Sequence, residues 1–181
     1  MLVIVGPSAS GKTEISRYLI KEYNLKRVIT CTTRPMRWDE KDGRDYYFLT
    51  EDEFKAGIED NLFIEYTKYN NDYYGTYYKE IADDKIIILD QVGFLNIKKI
   101  LKDSIVSFYI ETPLAERKMR MVKRGDTIKR IYQKIEYDNQ NFPSKIPGID
   151  YYITNYTDSI SESAKKIYNL YKERIGLWEK S

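Results

Sequence analysis

The sequence predicts an α/β fold, a parallel sheet covered by helices and carrying two protrusions, and three observations lead to it. Residues 6–13 read Gly-Pro-Ser-Ala-Ser-Gly-Lys-Thr, between the apolar run of residues 2–5 and a stretch of helical period at 14–20. Residues 85–90 are Lys85, the continuous apolar run 86–89 and a terminal Asp90, the pattern of a parallel strand covered on both faces and the most buried-looking strand of the chain. Strand-like and helix-like stretches alternate through the remainder, as parallel sheets with crossover helices require.

The first of these carries chemistry. Gly6 and Gly11 at the first and sixth positions, with the small residues Ser8, Ala9 and Ser10 between them, let consecutive backbone N–H groups converge on phosphate oxygens at a helix N-terminus. Lys12 supplies a mobile cation for the β and γ phosphates, and the Thr13 hydroxyl is placed to coordinate Mg²⁺. The strand–loop–helix context separates this from a chance Gly/Ser turn, so the chain is expected to bind a nucleoside triphosphate.

Along the chain, residues 27–33 read as a second strand. Residues 34–45 form a charged loop with Pro and Gly, followed by a short aromatic strand at 46–49. Thr50 and Glu53 make a capping box that opens a helix to about residue 60. Residues 62–69 and 73–78 read as two further strands around a turn at 70–72. After residues 85–90 come a crossover helix at 93–101 and a strand at 104–110. Thr112 and Pro113 are expected as N-cap and first position of a basic helical pair spanning 114–138, broken at Gly125-Asp126. A loop at 141–148, a strand at 151–154 and an amphipathic helix at 159–175 close the chain.

Composition narrows the chemistry. Histidine is absent and Cys31 is the only cysteine, so imidazole bases, Cys–His pairs, an intrachain disulfide and Cys or His metal sites are excluded. Thirty basic residues against 28 acidic give a net charge of +2, with no overall field for nucleic acid. No stretch has membrane-spanning length, and the phosphate loop follows residues 2–5 directly, so neither a signal peptide nor a membrane anchor is expected and the reading is cytoplasmic.

Four groups outside the loop stand out, each with two readings. Arg34, Arg37 and Tyr46 either clamp a phosphate monoester or belong to a solvated loop paired internally through Asp39, Glu40 and Asp45. Glu65, in an apolar and aromatic strand, either accepts from guanine's N1–H and amine, with Thr30, Tyr74 or Thr76 serving the other polar edges, or faces water. Asp90 either holds a Mg²⁺-bound water or caps the next helix. Arg120, Arg124 and Arg130 either fold over the triphosphate or bind nucleic acid, and Glu111, Glu116, Asp126 and Glu136 interrupt the basic patch that nucleic acid would need.

Taken together, these segments resemble guanylate kinase. The resemblance rests on the phosphate loop, Thr32-Thr33-Arg34-Pro35-Met36-Arg37, Asp42-Gly43-Arg44-Asp45-Tyr46-Tyr47-Phe48, Phe63-Ile64-Glu65-Tyr66, Asn71-Asp72-Tyr73-Tyr74-Gly75-Thr76, Ile88-Leu89-Asp90 and Arg124-Gly125, in the family's order over nearly the whole chain. It implies a three-layer P-loop kinase fold with a five-stranded parallel sheet, in one domain: core 1–33, 83–113 and 145–181, an inserted mixed GMP-binding subdomain at 34–82, and a short helical lid at 114–144. It implies ATP-dependent phosphorylation of GMP, and of dGMP, with Mg²⁺, in a monomer or homodimer. By the resemblance Arg34, Arg37, Tyr46 and Tyr74 hold the GMP phosphate. Glu65, Thr76 and Thr30 read guanine, with Asp90 also on the GMP side, and Asn155 lies near adenine. Arg120, Arg124 and Arg130 are the lid and core arginines. Two alternatives stay open, a guanylate-kinase-like protein-binding module and a kinase for another nucleoside monophosphate.

Three departures are visible. The family's Asp-x-Asp-x-Gln-Gly is Asp90-Gln91-Val92-Gly93 here, with one carboxylate missing. The segment between Gly125 and Arg130 is short, which weakens the assignment of Arg130. Glu14 follows Thr13 where a second hydroxyl is common, leaving the Mg²⁺ role to Thr13 alone.

Overall fold

A parallel five-stranded sheet organises the molecule, and its central strand, residues 2–5, is apolar at every position. The computed structural model describes residues 1–69, 71–143, 145–156 and 159–178. Strands β1 (Leu2–Val5) and β8 (Val106–Glu111) pair in parallel at the centre, and residues 2–5 are fully buried. The order is β2 (Lys26–Arg27), β7 (Lys85–Leu89), β1, β8, β9 (Tyr151–Thr154), with every pairing parallel. Helices α1 (Lys12–Tyr23) and α6 (Ile160–Trp178) cover one face around Leu2, Ile4, Ile15, Leu19, Phe108 and Ile167. Helix α3 (Gln91–Leu101) covers the other around Val3, Val5, Ile87, Phe94 and Ile97. Alternate side chains of each strand thus enter opposite cores, which gives the three layers.

A second sheet has the order β4 (Tyr47–Phe48), β3 (Cys31–Thr32), β6 (Asp72–Tyr77), β5 (Phe63–Tyr69), and Ile64 of β5 joins the core on the α3 face of the large sheet. It is mixed, with β3 parallel to β4 and antiparallel to β6. Helix α2 (Glu51–Glu59) packs Phe54 on it, stacked on Phe63 at 4.3 Å. The capping box at Thr50 and Glu53 is formed. Helices α4 (Leu114–Lys123) and α5 (Ile128–Asn141) make the basic pair and share a small apolar seam of Met121, Ile131 and Ile135.

Three expectations are corrected. Residues 27–33 are not one strand. Arg27 belongs to the large sheet and Cys31 to the small one. Between them the Val28 N–H still donates to the Ile86 carbonyl at 2.9 Å, whereas the Ile29 N–H turns to the Glu80 carboxylate at 3.2 Å, so the chain changes sheets there. The most buried strands are β1 and β8. In β7, Ile88 is 37% exposed, because the strand's C-terminal end opens into a cleft. Thr112 is not the N-cap of α4. Its hydroxyl donates to the Ser10 and Asn155 carbonyls at 3.1 and 3.2 Å, and Pro113 takes the cap position without a side-chain bond. Of the turn expected at 70–72 and the loop at 141–148, Asn70 and Ser144 lie outside the described residues, as do residues 179–181 of the expected core segment.

Candidate active site

The phosphate loop is shaped by backbone demands that its sequence meets. Gly6 adopts φ 150°, and a Cβ there would lie 2.9 Å from the Ile110 carbonyl oxygen. Gly11 adopts φ 101° at the N-cap of α1, and a Cβ there would run into the Asn155 side-chain amide. Ala9 takes a left-handed φ of 59° with its methyl against the seam of Met121, Ile131 and Ile135. The Ser10 carbonyl accepts from Asn155 Nδ2 at 2.7 Å, Thr112 Oγ1 at 3.1 Å and Arg120 Nη1 at 3.3 Å. A trans peptide points its N–H opposite its carbonyl, so pinning Ser10 toward the protein turns the Gly11 N–H the other way, as an anion nest requires.

That loop, from Ala9 to Thr13, forms a cleft of about 290 Å³ with Glu14, Arg120 and Arg124. Lys12 Nζ donates to the Pro7 carbonyl at 2.7 Å. Its pKa is lowered to about 8, chiefly by burial, with the Asp138 charge opposing and the Arg117 charge reinforcing the shift. Arg120 is anchored by Nη2 to the Asn155 carbonyl at 2.8 Å and by Nε to Glu116 at 3.0 Å. Arg124 Nη2 and Lys134 Nζ both reach Asp126, at 2.6 and 2.8 Å, and these two bonds bring the Asp126 pKa down to about 2. Arg130 is exposed in the first turn of α5 and does not line the cleft. Asn155 is buried, with its amide donating to Ser10, so the structure places it as a brace beneath the loop.

On the small sheet, Glu65 and Thr76 are register partners, and Thr76 Oγ1 donates to Glu65 Oε1 at 2.7 Å. Burial pushes the Glu65 carboxyl up, the Thr76 bond opposes this and the Asp90 charge adds to it. Arg34 pairs with Glu40 at 2.7 Å and lies 5.6 Å over the Tyr46 ring, which meets Tyr74 edge-on at 6.4 Å. Glu40 also accepts the Arg37 N–H at 2.8 Å, while the Arg37 side chain is exposed. The internally paired reading of this loop is therefore realised for Arg34. Thr30 and Tyr46 share a second cleft, also of about 290 Å³, with Thr13, Arg17 and Ile88. Thr13, in the first turn of α1, and the residues that lead directly into β3 and β4 line it together, while Glu65 lines a separate pocket with Asn96, Lys99 and Ile100 of α3.

Asp90 caps α3, its Oδ1 accepting the Gly93 N–H at 2.8 Å, and its Oδ2 lies 3.4 Å from the Tyr137 hydroxyl. Two residues to either side, Ile88 and Val92 are apolar and partly exposed, so no second carboxylate stands in those places. Among the described residues no group of three or more His, Cys, Asp or Glu could hold a metal ion. A hydroxyl and one carboxylate oxygen suit a magnesium ion that keeps its waters and takes most of its ligands from phosphate.

Sequence reasoning missed three side chains. Lys134 joins Arg124 beside Asp126, where Arg130 does not. Arg117 and Asp138 form an ion pair at 2.6 Å with only 8% and 2% of their side chains exposed. The signal was present in helical spacing: Asp138 continues the buried stripe of Ile131 and Ile135, and Arg117 lies four residues before Met121. A charge on an apolar stripe is a buried polar group that calls for a partner.

Fold and loop together define the class, a phosphate-loop nucleotide-binding α/β kinase. The family follows from comparison with known proteins. The guanylate kinase family model matches residues 1–173, and the chain belongs to that family. It is 35% identical to the guanylate kinase of Caldanaerobacter subterraneus subsp. tengcongensis, over 92% of this chain and 84% of the relative. It is 33% identical to that of Bacteroides fragilis, over 98% and 90%. Among solved structures it resembles guanylate kinase from Anaplasma phagocytophilum, with a TM-score of 0.63 at 20% identity over 96% and 84% of the two chains. Shikimate kinase from Acinetobacter baumannii in complex with shikimate matches with a TM-score of 0.50 at 11% identity over 93% and 90%. Two such different acceptors on one architecture mean that the fold alone does not choose the substrate. Among the described residues no helix is long and apolar enough to cross a membrane.

Proposed function

We propose that the chain transfers the γ-phosphoryl group of ATP to GMP, and to dGMP, giving ADP and GDP or dGDP. The observation that carries this reading is the meeting of two unlike half-sites at one cleft. Thr13 of a phosphate loop shares a cleft with Thr30 and Tyr46, which directly precede β3 and β4 of the sheet that holds the Glu65–Thr76 pair. In this reading the core is residues 1–33, 83–113 and 145–181, the acceptor lobe 34–82 and the lid 114–144.

Each residue then has a physical task. The loop N–H groups and Lys12 bind the β and γ phosphates. Arg120 and Arg124, already at the rim of that cleft, neutralise charge spread over the transferring group. A magnesium ion bound with ATP would supply neutralisation of phosphate charge. Thr13 would hold it, and Asp90 Oδ2, which also meets the Tyr137 hydroxyl, would accept from a water on the ion. Arg37, exposed on its loop, meets the GMP phosphate, and Arg34 follows when Glu40 releases one of its two bonds. Ionised Glu65 accepts from guanine N1–H and the exocyclic amine, with Thr76 already holding its other side. Arg130 is the weakest member of the set, because Lys134 occupies the place beside Arg124.

The test is an ADP-release screen with ATP and Mg²⁺ against GMP, dGMP, AMP, CMP, UMP and dTMP. Turnover confined to the two guanylates is expected. Preference for another monophosphate would overturn the acceptor assignment. ATP binding without any turnover would favour a protein-binding module.

A further inference from the structure

The phosphate loop is gripped from α5 by a contact that its nucleotide chemistry does not require. Both carboxylate oxygens of Asp138 accept the Ser8 N–H, at 3.1 and 3.0 Å, and Ser8 Oγ donates to Oδ1 at 3.1 Å. Arg117 Nη1 donates to Asp138 Oδ2 at 2.6 Å and more weakly to the Ser8 carbonyl at 3.4 Å. Every hydrogen-bonding group of Ser8 is therefore engaged by this one buried pair. The next residue, Ala9, rests on Met121, Ile131 and Ile135 of the same two helices.

Energetics make the pair unlike ordinary packing. A buried ion pair is worth little to stability against an apolar pair of similar volume, because desolvating two charges offsets their attraction. Two leucines would hold α4 to α5 at least as well. What they could not do is fix the backbone of a loop residue in direction and register. A carboxylate beside a triphosphate site would also repel the ligand if it stood alone, and Arg117 neutralises it.

We propose that Asp138, held by Arg117, is a positioning residue that presets the first half of the phosphate loop for the donor nucleotide. It touches neither substrate in this account and acts through Ser8. Because Asp138 lies on α5 and Arg117 on α4, the contact ties the helices that carry Arg124 and Lys134 to the loop. The inference rests on the donor half of the proposed function, ATP at the phosphate loop, and is independent of which monophosphate accepts.

The experiment measures ATP and ADP affinity by calorimetry without acceptor, then KM for ATP and for GMP, on the full chain. Asp138→Asn is expected to weaken ATP and ADP about tenfold, a change on the scale of one hydrogen bond to a charged group, with KM for GMP unchanged. Because that variant leaves Arg117 buried without a charge partner and its folding is at risk, the paired variant Arg117→Leu/Asp138→Leu is made alongside. It is expected to melt at or above the wild-type temperature and still show the tenfold ATP defect. Wild-type ATP affinity in the paired variant would overturn the proposal and leave the pair a packing feature. Tighter ATP binding by Asp138→Asn would overturn it too, since the carboxylate would then be a latch that nucleotide must displace. A wild-type chain that bound no ATP would instead sink the proposed function itself, before any variant was compared.

Discussion

The two half-sites are built in opposite ways. On the donor side, residues distant in sequence converge on a few loop atoms: Ser10 is held by Thr112, Arg120 and Asn155, and Ser8 by Asp138. On the acceptor side, the charged loop of residues 34–45 is mostly exposed, and its contacts are short in sequence, Arg34 with Glu40 and Arg44 with Asp45. The small sheet beneath it has its own aromatic core of Phe54, Phe63 and Cys31. The donor side is thus held by long-range bonds, whereas the acceptor side has a small core of its own, joined to the α3 face of the large sheet through Ile64 of β5, and a loop held by local pairs. Under the proposed function, preorganisation favours binding and charge stabilisation on the donor side.

The largest effect should come from the preformed side. Lys12→Ala removes the cation aimed at the β–γ region and should lower kcat by about 10³-fold, on the scale of losing a preorganised electrostatic donor. Thermal stability should change little, since Lys12 makes a single bond to its own loop. Steady-state kinetics with a melting curve would check both. Near-normal kcat would refute the preformed donor site.

Glu65→Gln comes next. It replaces a pure acceptor by a group that must present an N–H to one of guanine's two donors. With two charge-assisted bonds at stake, kcat/KM for GMP should fall by about 10² or more, with ATP affinity unchanged and the gap between GMP and AMP narrowed. Unaltered GMP preference in the variant would move base reading to another residue.

Arg37→Met probes the mostly exposed loop of residues 34–45. Hydrogen bonds to charged groups are worth about 1.5–3 kcal/mol, so KM for GMP should rise by about ten- to a hundredfold. ATP should be unaffected, and an effect confined to ATP would place the loop on the donor side.

The same contrast explains what the sequence disclosed. The phosphate loop, β1, the capping box at Thr50 and the strand at Tyr151–Thr154 were legible because each depends on local spacing or on an apolar run. Residues 27–33 misled because β-branched residues suit either sheet, and only the long-range bonds of Val28 and Ile29 decide where one ends. Thr112 had the identity of an N-cap, but two carbonyls from distant segments compete for its hydroxyl. Asn155, Arg117 and Asp138 hold the loop through contacts more than a hundred residues apart in sequence; helical spacing marks Arg117 and Asp138 as buried, but no local period names the loop as their partner.

The smallest effect tests whether the acceptor lobe is energetically separate. Thr50 caps α2 by accepting the Glu53 N–H at 3.2 Å, while the Glu53 carboxylate accepts the Thr50 N–H at 2.7 Å. Thr50→Ala should cost about 1 kcal/mol, the usual loss for an N-cap hydroxyl. Helix α2 contributes Phe54 to the small aromatic core, and that core has no member in either face of the large sheet. The loss should therefore appear as faster amide exchange in α2 and across β5 and β6, with exchange in β1, α1 and β8 unchanged. KM for GMP should rise slightly, because the strands carrying Glu65 and Thr76 lose support, while ATP affinity should stay at its wild-type value. Exchange that quickened equally in β1 and α1 would show the two lobes unfolding as one unit, and the division between a preformed donor half and a separate acceptor half would have to be given up.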